Sequence, residues 1–153
     1  MAKVDKVLDH AEQHCTSLGV RLTQKRKQVL TVLLLSRKAL SAYELIDVYK
    51  KEFGDTLPAM SAYRILDFLQ GKDLVHKLNL TNKYVACSCI DNGHVHAVSQ
   101  FLICKKCQKV SEVNINQSTI LEFQKNVEDA GFRLVSSQLE MNCICESCIA
   151  NEP

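Results

Sequence analysis

Ser41-Ala42-Tyr43-Glu44-Leu45-Ile46, Ser61-Ala62-Tyr63-Arg64-Ile65-Leu66 and Leu74-Val75-His76-Lys77-Leu78 are consecutive pieces of one stretch, residues 41–87, whose reading decides the fold. Ser41 followed three positions later by Glu44 is a capping-box pattern, in which each side chain satisfies the other residue's backbone N–H. Leu45, Ile46, Tyr49 and Phe53 follow at helical spacing until Gly54 ends the helix. Beyond the Leu57-Pro58 break, residues 61–70 read as another helix that buries Ala62, Ile65, Leu66 and Leu69, with Gly71 as its terminator. Residues 74–78 and 83–87 flank a short turn and predict a β-hairpin. Helix, turn, helix and hairpin make a winged helix-turn-helix. Its reading helix, 61–70, carries Tyr63 and Arg64 near the end that would enter a major groove.

Working outward toward the N-terminus, Thr23 is placed to cap a helix over residues 24–36 with Val29, Leu30, Leu33 and Leu34 on its apolar face. Val4, Val7, Leu8, Ala11 and Leu18 predict an amphipathic first helix that stops at Gly19. Toward the C-terminus the pattern changes. Strands are expected around 101–103 and 109–113, a helix over 117–130 stopped by Gly131, and a strand over 132–140, where side-chain character alternates. The fold class is therefore α+β. A winged helix-turn-helix domain over 1–87 is followed by a hinge at about 88–100 and a small α/β domain over 101–153.

Charge divides along the same line. Residues 1–83 hold 14 Lys+Arg against 9 Asp+Glu, so +5, whereas residues 84–153 hold 5 against 8, so −3. A cationic first half is suited to a polyanion such as DNA. No apolar run approaches the roughly 18 residues needed to span a bilayer, and the N-terminus lacks the apolar core of a secretory signal. The chain reads as cytoplasmic, with no membrane partner.

Eight cysteines in 153 residues need a reason. In a reducing compartment closely spaced thiols are more often metal ligands than disulfides. Cys104-Lys105-Lys106-Cys107 and Cys145-Glu146-Ser147-Cys148 are two CxxC knuckles. Two intervening residues let both sulfurs reach one metal, and two knuckles complete a closed four-thiolate zinc site of the structural kind. Cys143 competes with Cys145 for the second pair, and equal spacing favours Cys145 with Cys148. A looser set, His76, Cys87, Cys89, His94, His96 and Glu112, mixes imidazole, thiolate and carboxylate, a combination that suits a second zinc drawn from wing, linker and second domain.

In order along the chain, Arg21-Leu22-Thr23-Gln24-Lys25-Arg26, Ser41-Ala42-Tyr43-Glu44-Leu45, residues 61–69 and Leu74-Val75-His76-Lys77 resemble the ferric uptake regulator family, most nearly its zinc uptake regulator branch. The resemblance implies a homodimer, joined through its C-terminal α/β dimerisation domain, that binds double-stranded operator DNA when zinc-loaded and represses zinc-uptake genes. It implies two zinc ions per subunit. Cys104, Cys107, Cys145 and Cys148 match the structural site. His76, Cys87, His96 and Glu112 match the regulatory one, with Cys89 and His94 as alternates. Tyr43, Ser61, Tyr63 and Arg64 match DNA-contact positions. The alternatives are an iron- or peroxide-sensing regulator of the same family and, from other classes, a zinc enzyme or a thiol redox protein. No HExxH motif or deaminase signature is present, and no catalytic residue or small organic substrate is expected.

Overall fold

The computed structural model describes residues 2–36, 38–92, 98–136 and 138–152. The chain divides into two compact units, Met1–His94 and Val95–Pro153.

The first unit opens with four helices, α1 (Ala2–Ser17), α2 (Gln24–Leu35), α3 (Ala42–Phe53) and α4 (Ala59–Gly71). Thr23 caps α2, its side chain accepting the Arg26 N–H. Ser41 and Glu44 form the reciprocal capping box on α3: the Ser41 N–H donates to Glu44 Oε1 at 3.0 Å and the Glu44 N–H to Ser41 Oγ at 3.2 Å. Gly54 closes α3 in the left-handed conformation, φ 67°. Leu30, Leu45, Leu66, Leu69 and Tyr49 are fully buried where these helices pack together. Tyr49 keeps its hydroxyl satisfied by donating to Gln28 Oε1 at 2.7 Å.

α4 departs from expectation at both ends. It begins at Ala59, because Pro58 takes the N-cap position with extended backbone, and it runs through Gly71 rather than stopping there. The reversal falls on Asp73, whose φ is 59°. The hairpin follows, with β1 (Val75–Leu78) antiparallel to β2 (Lys83–Ala86) and Val75 opposite Ala86. Tyr84 also exchanges two backbone hydrogen bonds with Leu40, at 2.8 and 3.0 Å, so the wing is tied to the segment between α2 and α3. Lys83 reinforces the tie by pairing with Glu44 at 3.2 Å. A single 3-10 turn, Ile90–Asn92, packs against α1.

The second unit is a three-stranded sheet in the order β4-β3-β5. Central β3 (Ser99–Cys104) is antiparallel to β4 (Val110–Asn114) and parallel to β5 (Gln138–Cys143). α5 (Gln117–Asp129), capped by the Asn116 side chain, makes the crossover that a parallel pair requires, and α6 (Glu146–Ala150) follows β5. Phe101 and Ile103 are buried at the centre of the sheet. The expected strand over 132–140 is displaced: β5 begins only at Gln138. Its partner β3 begins at Ser99, directly opposite Gln138, so the earlier residues have no strand to pair with, and Phe132 and Val135 stand exposed. None of the helices among the described residues is long and apolar enough to cross a membrane.

Candidate metal centre and reading face

Cys104 is the last residue of β3, and Cys107 lies in the turn toward β4. The turn is closed by the Gln108 N–H donating to the Cys104 carbonyl at 3.0 Å and the Cys104 N–H donating to the Lys109 carbonyl at 2.9 Å. It places Gln108 at φ 66°. The parallel register sets Cys143 beside Cys104, and the Lys105 N–H donates to the Cys143 carbonyl at 2.9 Å. Two residues later Cys145 becomes the N-cap of α6, and Cys148 sits in that helix's first turn. Sheet register and helix start thus deliver the second knuckle to the first.

The outcome is a cluster in which the sulfurs of Cys104, Cys107, Cys145 and Cys148 all lie within 4.8 Å of one another. Cys104 and Cys148 are 3.8 Å apart, and Cys107 and Cys145 are 3.6 Å apart. A tetrahedral zinc with Zn–S bonds of about 2.3 Å requires sulfur–sulfur edges of about 3.8 Å. The donor set and its spacing therefore fit a thiolate-bound zinc ion. Cys143 stands outside the cluster, its thiol directed to the Met141 carbonyl at 3.6 Å.

The cluster's electrostatics separate the thiols. The backbone N–H of Cys107, then those of Cys145 and Lys106, point at the Cys104 sulfur and stabilise its thiolate, bringing its pKa down to about 6. The Cys145 contact is 3.3 Å long. Cys148 moves the other way, to about 12, because hydrogen bonding to Cys145 holds its proton, with burial and the sulfurs of Cys104 and Cys107 adding to the effect. Four ionised sulfurs this close repel one another strongly unless a cation sits among them.

In the first unit, His76 lies on β1 and Cys87 directly follows β2; a ring nitrogen of His76 and the Cys87 sulfur are within 4.8 Å. Cys87 is buried, and its N–H donates to the Leu74 carbonyl at 2.9 Å. Cys89, also buried, donates its backbone N–H to the Cys87 sulfur at 3.4 Å. Glu112 is half-buried on β4 of the second unit. His94 and His96 lie outside the described residues.

Tyr43, the second residue of α3, is 67% exposed. On α4 the buried side is Ala62, Leu66 and Leu69, which leaves Tyr63 and Arg64 exposed and Ser61 half-buried. Sequence reasoning missed Met60, which is 66% exposed on the same helix, because the expected helix began one residue after it. The available signal was Pro58, since proline is common at helix starts.

The sequence profile of the ferric uptake regulator family matches residues 17–142. The chain belongs to the ferric uptake regulator family. It is 34% identical to the zinc uptake regulation protein of Escherichia coli (strain K12), over 96% of this chain and 84% of that relative. The ferric uptake regulation protein of Synechocystis sp. (strain ATCC 27184 / PCC 6803 / Kazusa) is 26% identical over 92% of this chain and 84% of that relative. Among solved structures, a zinc uptake regulator complexed with zinc and DNA superposes with a TM-score of 0.82 at 30% identity, covering 96% of this chain and 95% of that one. Cys145 and Cys148 fall just beyond the span matched by the family profile, so the second knuckle stands on its own geometry.

Proposed function

We propose that this family member is a zinc-responsive transcriptional repressor: a cytoplasmic homodimer whose zinc-loaded form binds operator DNA and represses zinc-uptake genes. The observation that carries the zinc reading is the four-sulfur cluster with tetrahedral edge lengths, in a chain whose other unit is a winged helix. The zinc- and DNA-bound neighbour at 30% identity supports it, as does the E. coli relative.

The proposed structural ligands are Cys104, Cys107, Cys145 and Cys148. Four protein thiolates leave zinc no open position for a substrate, which argues for folding rather than catalysis there. The proposed regulatory ligands are His76, Cys87, His96 and Glu112, with Cys89 and His94 as alternates, giving two zinc ions per subunit. The Cys89 N–H supports the Cys87 sulfur as a thiolate, favouring Cys87 over Cys89 as the ligand. A thiolate in the set favours zinc over ferrous iron, which prefers oxygen and nitrogen donors. When bound, zinc supplies a charge that these side chains share, and in a zinc-responsive repressor the factor by which zinc raises DNA affinity is also the factor by which DNA raises zinc affinity. Tyr43, Ser61, Tyr63 and Arg64 are the proposed DNA contacts.

The test is operator binding titrated against buffered free zinc, with Cys87→Ala and His96→Ala alongside. Wild type should bind steeply with zinc while both variants retain one zinc and lose the response. Equal binding by the zinc-depleted and zinc-loaded dimers would overturn the regulatory role.

A further inference from the structure

The exposed side of α4 carries Met60, Tyr63, Arg64 and Asp67, at i, i+3, i+4 and i+7, opposite the buried Ala62, Leu66 and Leu69. Three members of this stripe are polar or amphipathic. Met60 is neither, yet among the described large apolar side chains of the first unit its 66% exposure is matched only by Tyr43 at 67%. Both occupy the second position of their helices, α3 and α4. Packing does not explain Met60, because the core contacts of α4 are made by other residues. Capping does not explain it either, since a thioether offers the free N–H groups of a first turn little. The first turn of α4 also contains no acidic residue, so nothing there repels a polyanion.

We propose that Met60 is a specificity-determining side chain that reads the 5-methyl group of a thymine in the major groove of the operator. This rests on the DNA-binding function proposed above. Of the groups that base pairs present in the major groove, the thymine methyl is the apolar one, and an apolar side chain distinguishes it by contact. A methionine is flexible and polarisable enough to cover a methyl group without a fixed pocket. Arg64 lies one helical turn from Met60, which separates their Cβ atoms by about 6 Å. Base pairs stack about 3.4 Å apart. The thymine therefore lies within about two base-pair steps of the base contacted by Arg64. Asp67, a turn further on, carries negative charge, which leaves the N-terminal half of the stripe as the part that approaches the duplex.

The test uses the full-length zinc-loaded protein and a duplex selected by it from a random-sequence DNA library. Each thymine of that duplex is replaced in turn by deoxyuridine, which removes only the methyl group. Wild type should lose about fourfold in affinity at one position or a symmetric pair, the value expected for uncovering one methyl group. Met60→Ala should bind the unmodified duplex about as weakly as wild type binds that deoxyuridine duplex, and should no longer distinguish the two. Met60→Leu should restore the discrimination. A circular-dichroism melt matching wild type verifies that Met60→Ala is folded, as its exposure predicts. Indifference of wild type to every deoxyuridine replacement, or an undiminished penalty in Met60→Ala, would overturn the inference while leaving DNA binding intact. Failure to select any duplex would instead overturn the DNA-binding reading, and this inference with it.

Discussion

The sulfur of Cys107, in the turn after β3, stands 3.6 Å from the sulfur of Cys145 at the start of α6, 38 positions along the chain. Between them the chain completes β4, α5 and β5. A metal held by both knuckles closes that excursion, and its binding free energy becomes folding free energy of the unit, on the order of 10 kcal/mol. Cys104→Ser and Cys145→Ser should each release one zinc per subunit and melt the second unit well below wild type. Cys143→Ser, outside the cluster, should leave zinc content and melting unchanged. Zinc assay and calorimetry on the three variants check this, and a fully zinc-loaded Cys145→Ser would refute the ligand assignment.

The knuckle turn holds Gln108 at φ 66°, where a side chain is strained. A β-branched residue suffers most there, at about 1–2 kcal/mol, whereas glycine adopts the conformation freely. Gln108→Val should lower the denaturation midpoint of the second unit, and Gln108→Gly should hold or raise it. Urea titration distinguishes the two. Equal midpoints would show that the turn is not strained.

Acidification should bear on the capping box in a predictable direction. The backbone N–H of Ser41 is the main cause that holds the Glu44 carboxyl below the ordinary glutamate range, with Lys83 assisting and burial opposing. A carboxylate with a depressed folded-state pKa contributes stability that is present above its unfolded pKa and is lost as pH falls through the folded value. The stability difference between wild type and Glu44→Gln should therefore shrink between pH 7 and pH 3, since glutamine keeps the box geometry without the charge. Ser41→Ala should cost about 1 kcal/mol at pH 7. Thermal melts at both pH values provide the check, and a difference that grows on acidification contradicts the sign.

In a single chain α5 buries none of its residues, and Leu121 and Phe123 are exposed although they are large and apolar. A place for α5 in the interface of the proposed homodimer accounts for such a helix. Leu121→Glu should shift the protein from dimer toward monomer in sedimentation without loss of helix content. An unchanged dimer would place the interface elsewhere.

The legible parts of this chain were those governed by local chemistry. Ser41 with Glu44, Gly54 and the wing strands around an Asn82 turn are set by neighbours within a few residues, and the structure has them where spacing put them. The CxxC spacing singled out the same four thiols that the fold gathers, with Cys143 excluded because its position beside Cys104 turns its thiol toward its own strand's Met141 carbonyl. One difference came from a distant partner and the other from a local signal with two readings. Alternation over 132–136 looked like a strand, yet β3 is too short to pair with it. α4 starts two residues ahead of the expected Ser61 because Pro58 both breaks the preceding chain and supplies the extended residue from which a helix begins.

The four-sulfur cage also orders events during synthesis. Its first two members, Cys104 and Cys107, leave the ribosome 41 and 38 positions ahead of Cys145, so no nascent chain holds a finished cage until α6 has been translated. The winged unit draws its buried core from residues 7–90, all made earlier, so it can be built before any ion is captured. On the proposed zinc assignment, cellular zinc supply governs the maturation of the second unit and leaves the birth of the first untouched.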